Sequence, residues 1–229
     1  MNQEIMRFPA FGGEAILLCR DVLDLEEKEN YERAFALLSQ ERKKKVLFYK
    51  VRKPALLSLG AGLILREGLL SLGIDPDCKM IYGEQEKPYL EGGEAFFNLS
   101  HSGDKVLGIF SRQQEVGCDI QEIEKPRNKD ALESRPKKED RPEMIYRRFF
   151  HPEEVKYLDS LPEEERRKSF YGLWAMKEAY IKALGAGLSC PLDSFWLDYE
   201  SCRVVQGEKL ELEKKEIPGY ALSWARVMR

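Results

Sequence analysis

The sequence predicts an α+β protein: two similar α+β halves packed as a pseudo-dimer, with a site in the cleft between them. Three observations carry this. The 229 residues are 43% apolar, enough to bury a sizeable core. Strand-like and helix-like segments follow the order strand, helices, strands, and that order then repeats. A charged stretch poor in apolar residues, at about 122–143, interrupts the second run and reads as an insertion or long loop. The halves are placed at 1–105 and 106–229, with the insertion in the second.

The elements are justified in chain order. Glu14 to Cys19 reads as a strand. Leu23 to Leu38 is helix-like, with Tyr31, Ala34, Phe35 and Leu38 at helical spacing. A basic run, Glu41 to Lys45, follows. Pro54 opens a long apolar helix through Leu70, with Gly73 as its C-terminal cap. Lys79–Tyr82, Ala95–Leu99, Val106–Phe110 and Val116–Ile120 are short strands. From Met144 to Leu184 the pattern is helical, with breaks at Pro152 and Pro162, and Gly185 and Gly187 end it. Phe195–Tyr199, Leu210–Leu212 and Tyr220–Val227 are closing strands.

Composition excludes several classes. The net charge of −3 gives no global basic field for nucleic acid or an anionic membrane, so an anion site must be a local cluster. The five cysteines are scattered, with no CxxC or Cys/His spacing, which argues against a disulfide framework and structural zinc. Glu4 and Arg7 precede any apolar run, and Ala55–Leu65 is too short to span a bilayer. A cytoplasmic monomer is expected.

The most informative segment is Phe170-Tyr-Gly-Leu-Trp-Ala-Met-Lys-Glu-Ala-Tyr-Ile-Lys182. It reads as one helix with Trp174, Glu178 and Ile181 along one side and Lys182 one turn beyond Glu178. Alone, such a Glu and Lys are more often a solvated surface pair. Asp119, at the end of a strand, supplies a second carboxylate, and Gln121 shares its face by alternation. Two acids with lysines beside them suit a hard cation and phosphate oxygens, although polar residues capping a strand end would look the same.

Three weaker clusters accompany them. Arg42 to Lys45 is a phosphate-binding candidate or a solvated helix face. Lys87, before Pro88, sits in extended backbone where it meets a ligand or merely makes a turn. Phe97-Asn-Leu-Ser-His-Ser-Gly103 places Ser100 and His101 in a small polar stretch suited to a phosphate-facing turn. The other histidine, His151, has no such setting.

Taken in order, Lys-Pro, Asn-Leu-Ser-His-Ser-Gly, Gly-Cys-Asp-Ile-Gln, Arg-Phe-Phe-His-Pro-Glu-Glu, Trp-Ala-Met-Lys-Glu-Ala-Tyr-Ile-Lys and Gly-Leu-Ser-Cys-Pro-Leu resemble the surfactin-synthetase type of 4'-phosphopantetheinyl transferase over nearly the whole chain. The resemblance implies transfer of the phosphopantetheine arm of coenzyme A to a carrier-protein serine, release of 3',5'-ADP, a requirement for Mg²⁺, and a pseudo-twofold fold. It implies that Asp119 and Glu178 ligate the metal, with Gln121 alongside. It makes Glu178 or a metal-held water the proton acceptor and sets Lys182 against the pyrophosphate. Arg42, Lys45, Lys87, Ser100 and His101 would hold the nucleotide end of coenzyme A, and Glu154 would be a further acid near the site. Two departures stand out. Gln121 occupies a position where many relatives carry Glu. Leu57 stands where relatives often carry Arg, a role that passes to Arg52 or Lys53. The rival readings are a non-catalytic coenzyme A-binding module and a Mg²⁺-dependent phosphate-ester hydrolase.

Overall fold

The computed structural model describes residues 5–83, 85, 87–123 and 142–228. The core of the charged insertion read at about 122–143 therefore lies outside the described residues. Two antiparallel sheets dominate, one per half. The first has the order β1 (Met6–Ala10), β2 (Ala15–Asp21), β6 (Lys105–Ser111), β5 (Phe96–Ser102). The second runs β7 (Val116–Glu122), β11 (Tyr220–Val227), β10 (Leu210–Ile217), β9 (Arg203–Gln206), β8 (Trp196–Asp198). A small hairpin, β3 (Met80–Tyr82) with β4 (Pro88–Leu90), stands apart. The helices are α1 (Lys28–Ala36), α2 (Gln40–Phe48), α3 (Arg52–Ser71), α4 (Pro142–Phe149), α5 (Pro152–Ser160) and α6 (Glu163–Leu184).

Three apolar clusters set the layers. The first joins α1 and α3 to one face of the first sheet, through Leu56, Leu59, Ile64, Val106 and Phe110. The second joins α6 to the second sheet, through Leu173, Met176, Leu197 and Leu212. The third lies between the sheets: Leu17, Cys19, Leu107 and Ile109 meet Val116, Cys118, Ile120, Leu222 and Trp224. The layer order is therefore helix, sheet, sheet, helix, as expected of two α+β halves back to back.

Helix α3 is long and apolar enough to cross a bilayer by length and composition. Its buried residues, Ala55 to Leu65 with Gly68 and Leu69, instead fill the first cluster. It begins two residues before the expected Pro54 and ends in the expected glycine cap. Gly73 has φ +68°, its N–H donates to the Leu70 carbonyl at 2.9 Å, and the Ile74 N–H donates to Leu69 at 2.9 Å. That pair of bonds is the Schellman arrangement.

Four differences from the sequence reading have physical causes. The expected helix from Leu23 opens as a 3-10 turn, Leu23–Glu26, before α1. β1 went unread because Pro9 lies within it; at the sheet edge the missing N–H does no harm. β4 opens on Pro88 and went unread for the same reason, and β9, four residues long, also went unread. The stretch through Ser100 and His101, expected as a turn, continues β5 to Ser102, and the turn falls at Gly103-Asp104. As to the halves, β6 pairs with β2 and β5, so the change of sheet falls between Ser111 and Val116, beyond the expected 105/106.

Candidate active site

Strand β7 has two unlike faces. Val116, Cys118 and Ile120 enter the core between the sheets. Gly117, Asp119 and Gln121, by alternation, face α6. Gly117 is decisive: a Cβ there would overlap the backbone of Ala179 and Ala183, so only glycine lets α6 lie this close. That approach carries the end of α6 over Asp119.

Strand β5, the edge of the first sheet, runs beside β7, the edge of the second. No backbone ladder joins them among the described residues; side chains do. Cys118 N–H donates to Asn98 Oδ1 at 3.0 Å, Ser100 Oγ donates to Asp119 Oδ1 at 2.6 Å, and Glu122 N–H donates to Ser102 Oγ at 2.9 Å. Asn98, Ser100 and Ser102 are every second residue of β5, the same face of one strand.

Asp119 is 2% exposed and lies at the centre. Its Oδ1 accepts from Ser100 and pairs with the Lys182 ammonium, and its Oδ2 accepts from Gln121 Nε2 at 2.6 Å. Lys182 also donates to Ser100 Oγ at 3.3 Å. Burial opposes the Lys182 charge, yet Asp119, Cys118 and Glu178 together lift its pKa above the ordinary lysine value. Glu178, one turn earlier, is half-buried. Desolvation raises its pKa, Lys182 lowers it and Asp119 raises it, so the two carboxylates sense each other.

These groups open into a cleft of about 550 Å³ between the halves. Lys87, Pro88 and Asn98 line it from one half; Phe149, Glu178, Ile181, Lys182, Cys190 and Leu192 from the other. The wall is largely apolar, with its charge gathered at Glu178, Lys182 and Lys87. Such a cleft admits a long, mostly uncharged chain with an anionic centre.

The structure thus brings together Ser100, Asp119, Gln121, Glu178 and Lys182. His101 follows on β5, pointing to the other face and exposed. Desolvation and the Lys182 charge push its imidazole below the usual histidine range, with Asp119 opposing. Arg42 and Lys45 lie on α2, outside this cluster. Arg42 donates to the Ser58 carbonyl at 2.9 Å, and its buried Nε lacks a partner among the described residues. Lys45 is exposed. Lys87 lines the cleft, but its ammonium is bonded to Glu115 and to carbonyls of α6 and β7.

Two further candidates have other partners. Glu154 does not line this cleft. It is 1% exposed and pairs with Lys177, 0% exposed, at 2.7 Å, while accepting from Leu197 N–H and His151 N–H. The pair ties α5 and β8 to the back of α6. Of the two candidates for the missing Arg at Leu57, Arg52 is spent on the Leu25 and Glu26 carbonyls and on the Tyr31 ring. Lys53 reaches Asp104 in the turn after His101. Sequence reasoning missed Asn98, Gly117 and Lys177. Small polar residues at every second position of β5 were a signal for the first; nothing local marks the other two.

As to metals, no three His, Cys, Asp or Glu form a metal-holding group among the described residues. Asp119 and Glu178 with the Gln121 amide are nevertheless a hard-oxygen donor set. Mg²⁺ is commonly held by one or two carboxylates plus substrate phosphates, and that set fits.

A family model described as the 4'-phosphopantetheinyl transferase superfamily matches residues 115–225, which include β7 and α6. The 4'-phosphopantetheinyl transferase gsp of Aneurinibacillus migulanus is 31% identical over 170 residues, 73% of this chain and 65% of that protein. This chain thus spans just under two thirds of that relative. A 4'-phosphopantetheinyl transferase of Bacillus subtilis is 33% identical over 72% of this chain and 67% of its own length. The 4'-phosphopantetheinyl transferase Sfp of Bacillus subtilis (strain 168) is 32% identical over 82% of this chain and 76% of its own. Among solved structures, a holo-[acyl-carrier-protein] synthase of Thermotoga maritima aligns at TM-score 0.37 and 21% identity, over 50% of this chain and 64% of that one.

Proposed function

Since this chain belongs to the 4'-phosphopantetheinyl transferase superfamily, we propose that it moves the 4'-phosphopantetheine arm of coenzyme A onto a serine of an apo carrier protein. The observation that carries the reading is Asp119, bonded to Ser100 across the seam and to Lys182 of its own half, with Glu178 open to an apolar cleft.

The chemistry follows from these side chains. The carrier serine oxygen forms a bond to the phosphorus that bears the pantetheine arm, and the pyrophosphate P–O bond breaks, releasing 3',5'-ADP. Glu178 takes the hydroxyl proton, and its desolvated, raised-pKa carboxylate suits that task. Lys182, held charged by Asp119, faces the pyrophosphate and stabilises charge gathering on its oxygens. Ser100 fixes Asp119, and His101 with the α2 cations Arg42 and Lys45 offers donors to the nucleotide end. Mg²⁺, held by Asp119 and Glu178 with Gln121 alongside, would neutralise phosphate charge. The apolar wall of Phe149, Ile181 and Leu192 receives the pantetheine chain. The five free cysteines fit a reducing compartment such as the cytoplasm.

The test is mass spectrometry of several apo carriers incubated with the protein, coenzyme A and Mg²⁺. The expected result is a gain of one phosphopantetheine arm on at least one carrier. No gain on any carrier of fatty-acid, polyketide or peptide type, with coenzyme A still bound, would leave only a binding module.

A further inference from the structure

We propose that Lys87 is a positioning residue that sets the gap between Lys182 and Asp119, and that its side chain is not a contact to coenzyme A. This rests on the transferase reading above.

Lys87 comes from the first half, in the connection between β3 and β4, and is 9% exposed. Its ammonium donates to the Lys182 carbonyl at 2.9 Å and the Ala183 carbonyl at 3.3 Å. It pairs with Glu115 Oε2 at 2.7 Å and lies 3.4 Å from the Val116 carbonyl. An ammonium has three donors, and four acceptors already surround this one. No donor is left over for a phosphate.

The acceptors come from two elements that matter. Lys182 and Ala183 lie in the last turn of α6, where carbonyls lack helical partners and the helix end favours a cation. Lys182 is also the residue whose side chain pairs with Asp119. Val116 opens β7 three residues before Asp119, and Glu115 immediately precedes it. One buried cation inserted from the opposite half therefore fixes both ends of the Lys182–Asp119 pair. The surrounding packing is close. A Cβ at Gly185, just past α6, would lie 3.6 Å from Lys87 Cδ and 3.4 Å from the Tyr89 hydroxyl. The Tyr89 ring lies beneath the ammonium, its centroid 5.6 Å away.

The test separates positioning from binding. Lys87→Met keeps the stem and drops the charge. Its kcat is expected to fall roughly 100-fold, the scale on which a small misplacement acts. The coenzyme A Kd, measured by calorimetry without carrier, stays within about threefold of wild type. Amide hydrogen exchange speeds up at 116–119 and 182–185. Lys87→Arg, which restores a cation, recovers roughly tenfold of the lost rate. Weakening of coenzyme A binding by roughly tenfold or more, with exchange at 182–185 unchanged, would make Lys87 a ligand contact and overturn the proposal. So would a kcat within about threefold of wild type. If Lys87→Met fails to fold, Glu115→Gln decides on the same readouts, since it removes the charge paired with Lys87 and keeps the carbonyls. The exchange measurement needs no carrier. A wild type that transfers nothing therefore counts against the proposed activity, and unchanged exchange in the variant counts against the positioning role.

Discussion

At the scale of single residues, Glu178 and Gln121 decide the chemistry. Glu178 is the half-buried acid open to the cleft, and it lies outside the hydrogen-bonded group around Asp119. Glu178→Gln is expected to lower transfer at least 100-fold, a loss on the order of removing a general base. Its circular dichroism and Tm should match wild type. A rate within roughly tenfold, about 1.4 kcal/mol of barrier, would remove Glu178 as the proton acceptor. Gln121 donates to Asp119 Oδ2, so its amide nitrogen neutralises part of the carboxylate's charge. Gln121→Glu sets two carboxylates side by side. That variant should have a lower Tm without Mg²⁺, gain more Tm than wild type when Mg²⁺ is added, and need less Mg²⁺ for half-maximal rate. Equal Tm gains in the two proteins would show that this side chain does not face the cation. The central acids were legible in the sequence because their spacing is local: Asp119 and Gln121 share a strand face, and Glu178 and Lys182 share a helix face. The pairing of Glu154 was not legible because its partner Lys177 is twenty-three positions away, and nothing in one dimension shows that the two are buried together.

At the scale of elements, the site depends on how closely α6 lies on β7. Gly117→Ala inserts a Cβ into the backbone of Ala179 and Ala183, atoms that cannot rotate away. The helix must lift, at a cost of roughly 1–3 kcal/mol or more by the usual scale of overpacking. Lys182 then leaves Asp119. Chemical denaturation should report lower stability, and the residual folded enzyme should show reduced kcat. A variant as stable and active as wild type would mean that the contact gives way easily. The long elements α3 and α6 and the sheet strands were legible because each has a periodic apolar face. The continuation of β5 through Ser100 was not, because polar side chains at every second position look like a turn until a second strand edge is there to receive them.

For the whole molecule, the core between the sheets has a measurable chemical signature. Cys19 and Cys118 lie in it, and burial pushes their thiols up to about 11 and about 12. In the unfolded chain both would ionise near pH 8.5, the ordinary thiol value. Above that pH the unfolded chain gives up protons that the folded chain keeps, so stability falls as pH rises, until the folded thiols ionise as well. The slope is about 1.4 kcal/mol per pH unit for each thiol. The urea midpoint should therefore drop between pH 8 and pH 10, and drop less in Cys19→Ala. Native alkylation at pH 8 should mark Cys78 and Cys190, which are partly exposed, and spare Cys19 and Cys118. Rapid labelling of either buried thiol would show that the sheets part readily. The two-halved plan was legible from the repeated order of elements. The level at which the chain passes from one sheet to the other was not, since Ser111 to Val116 looks like any other connection.

The row of Asn98, Ser100 and Ser102 has a consequence for how such a protein can change over time. A backbone ladder holds two strands at one fixed spacing whatever the side chains are. Here, beyond the apolar core the sheets share, the two edges meet through three small side chains that can be rewritten one codon at a time. Each sheet keeps its own register while the gap between them is adjusted, as the jaws of a gauge keep their shape when its screw is turned.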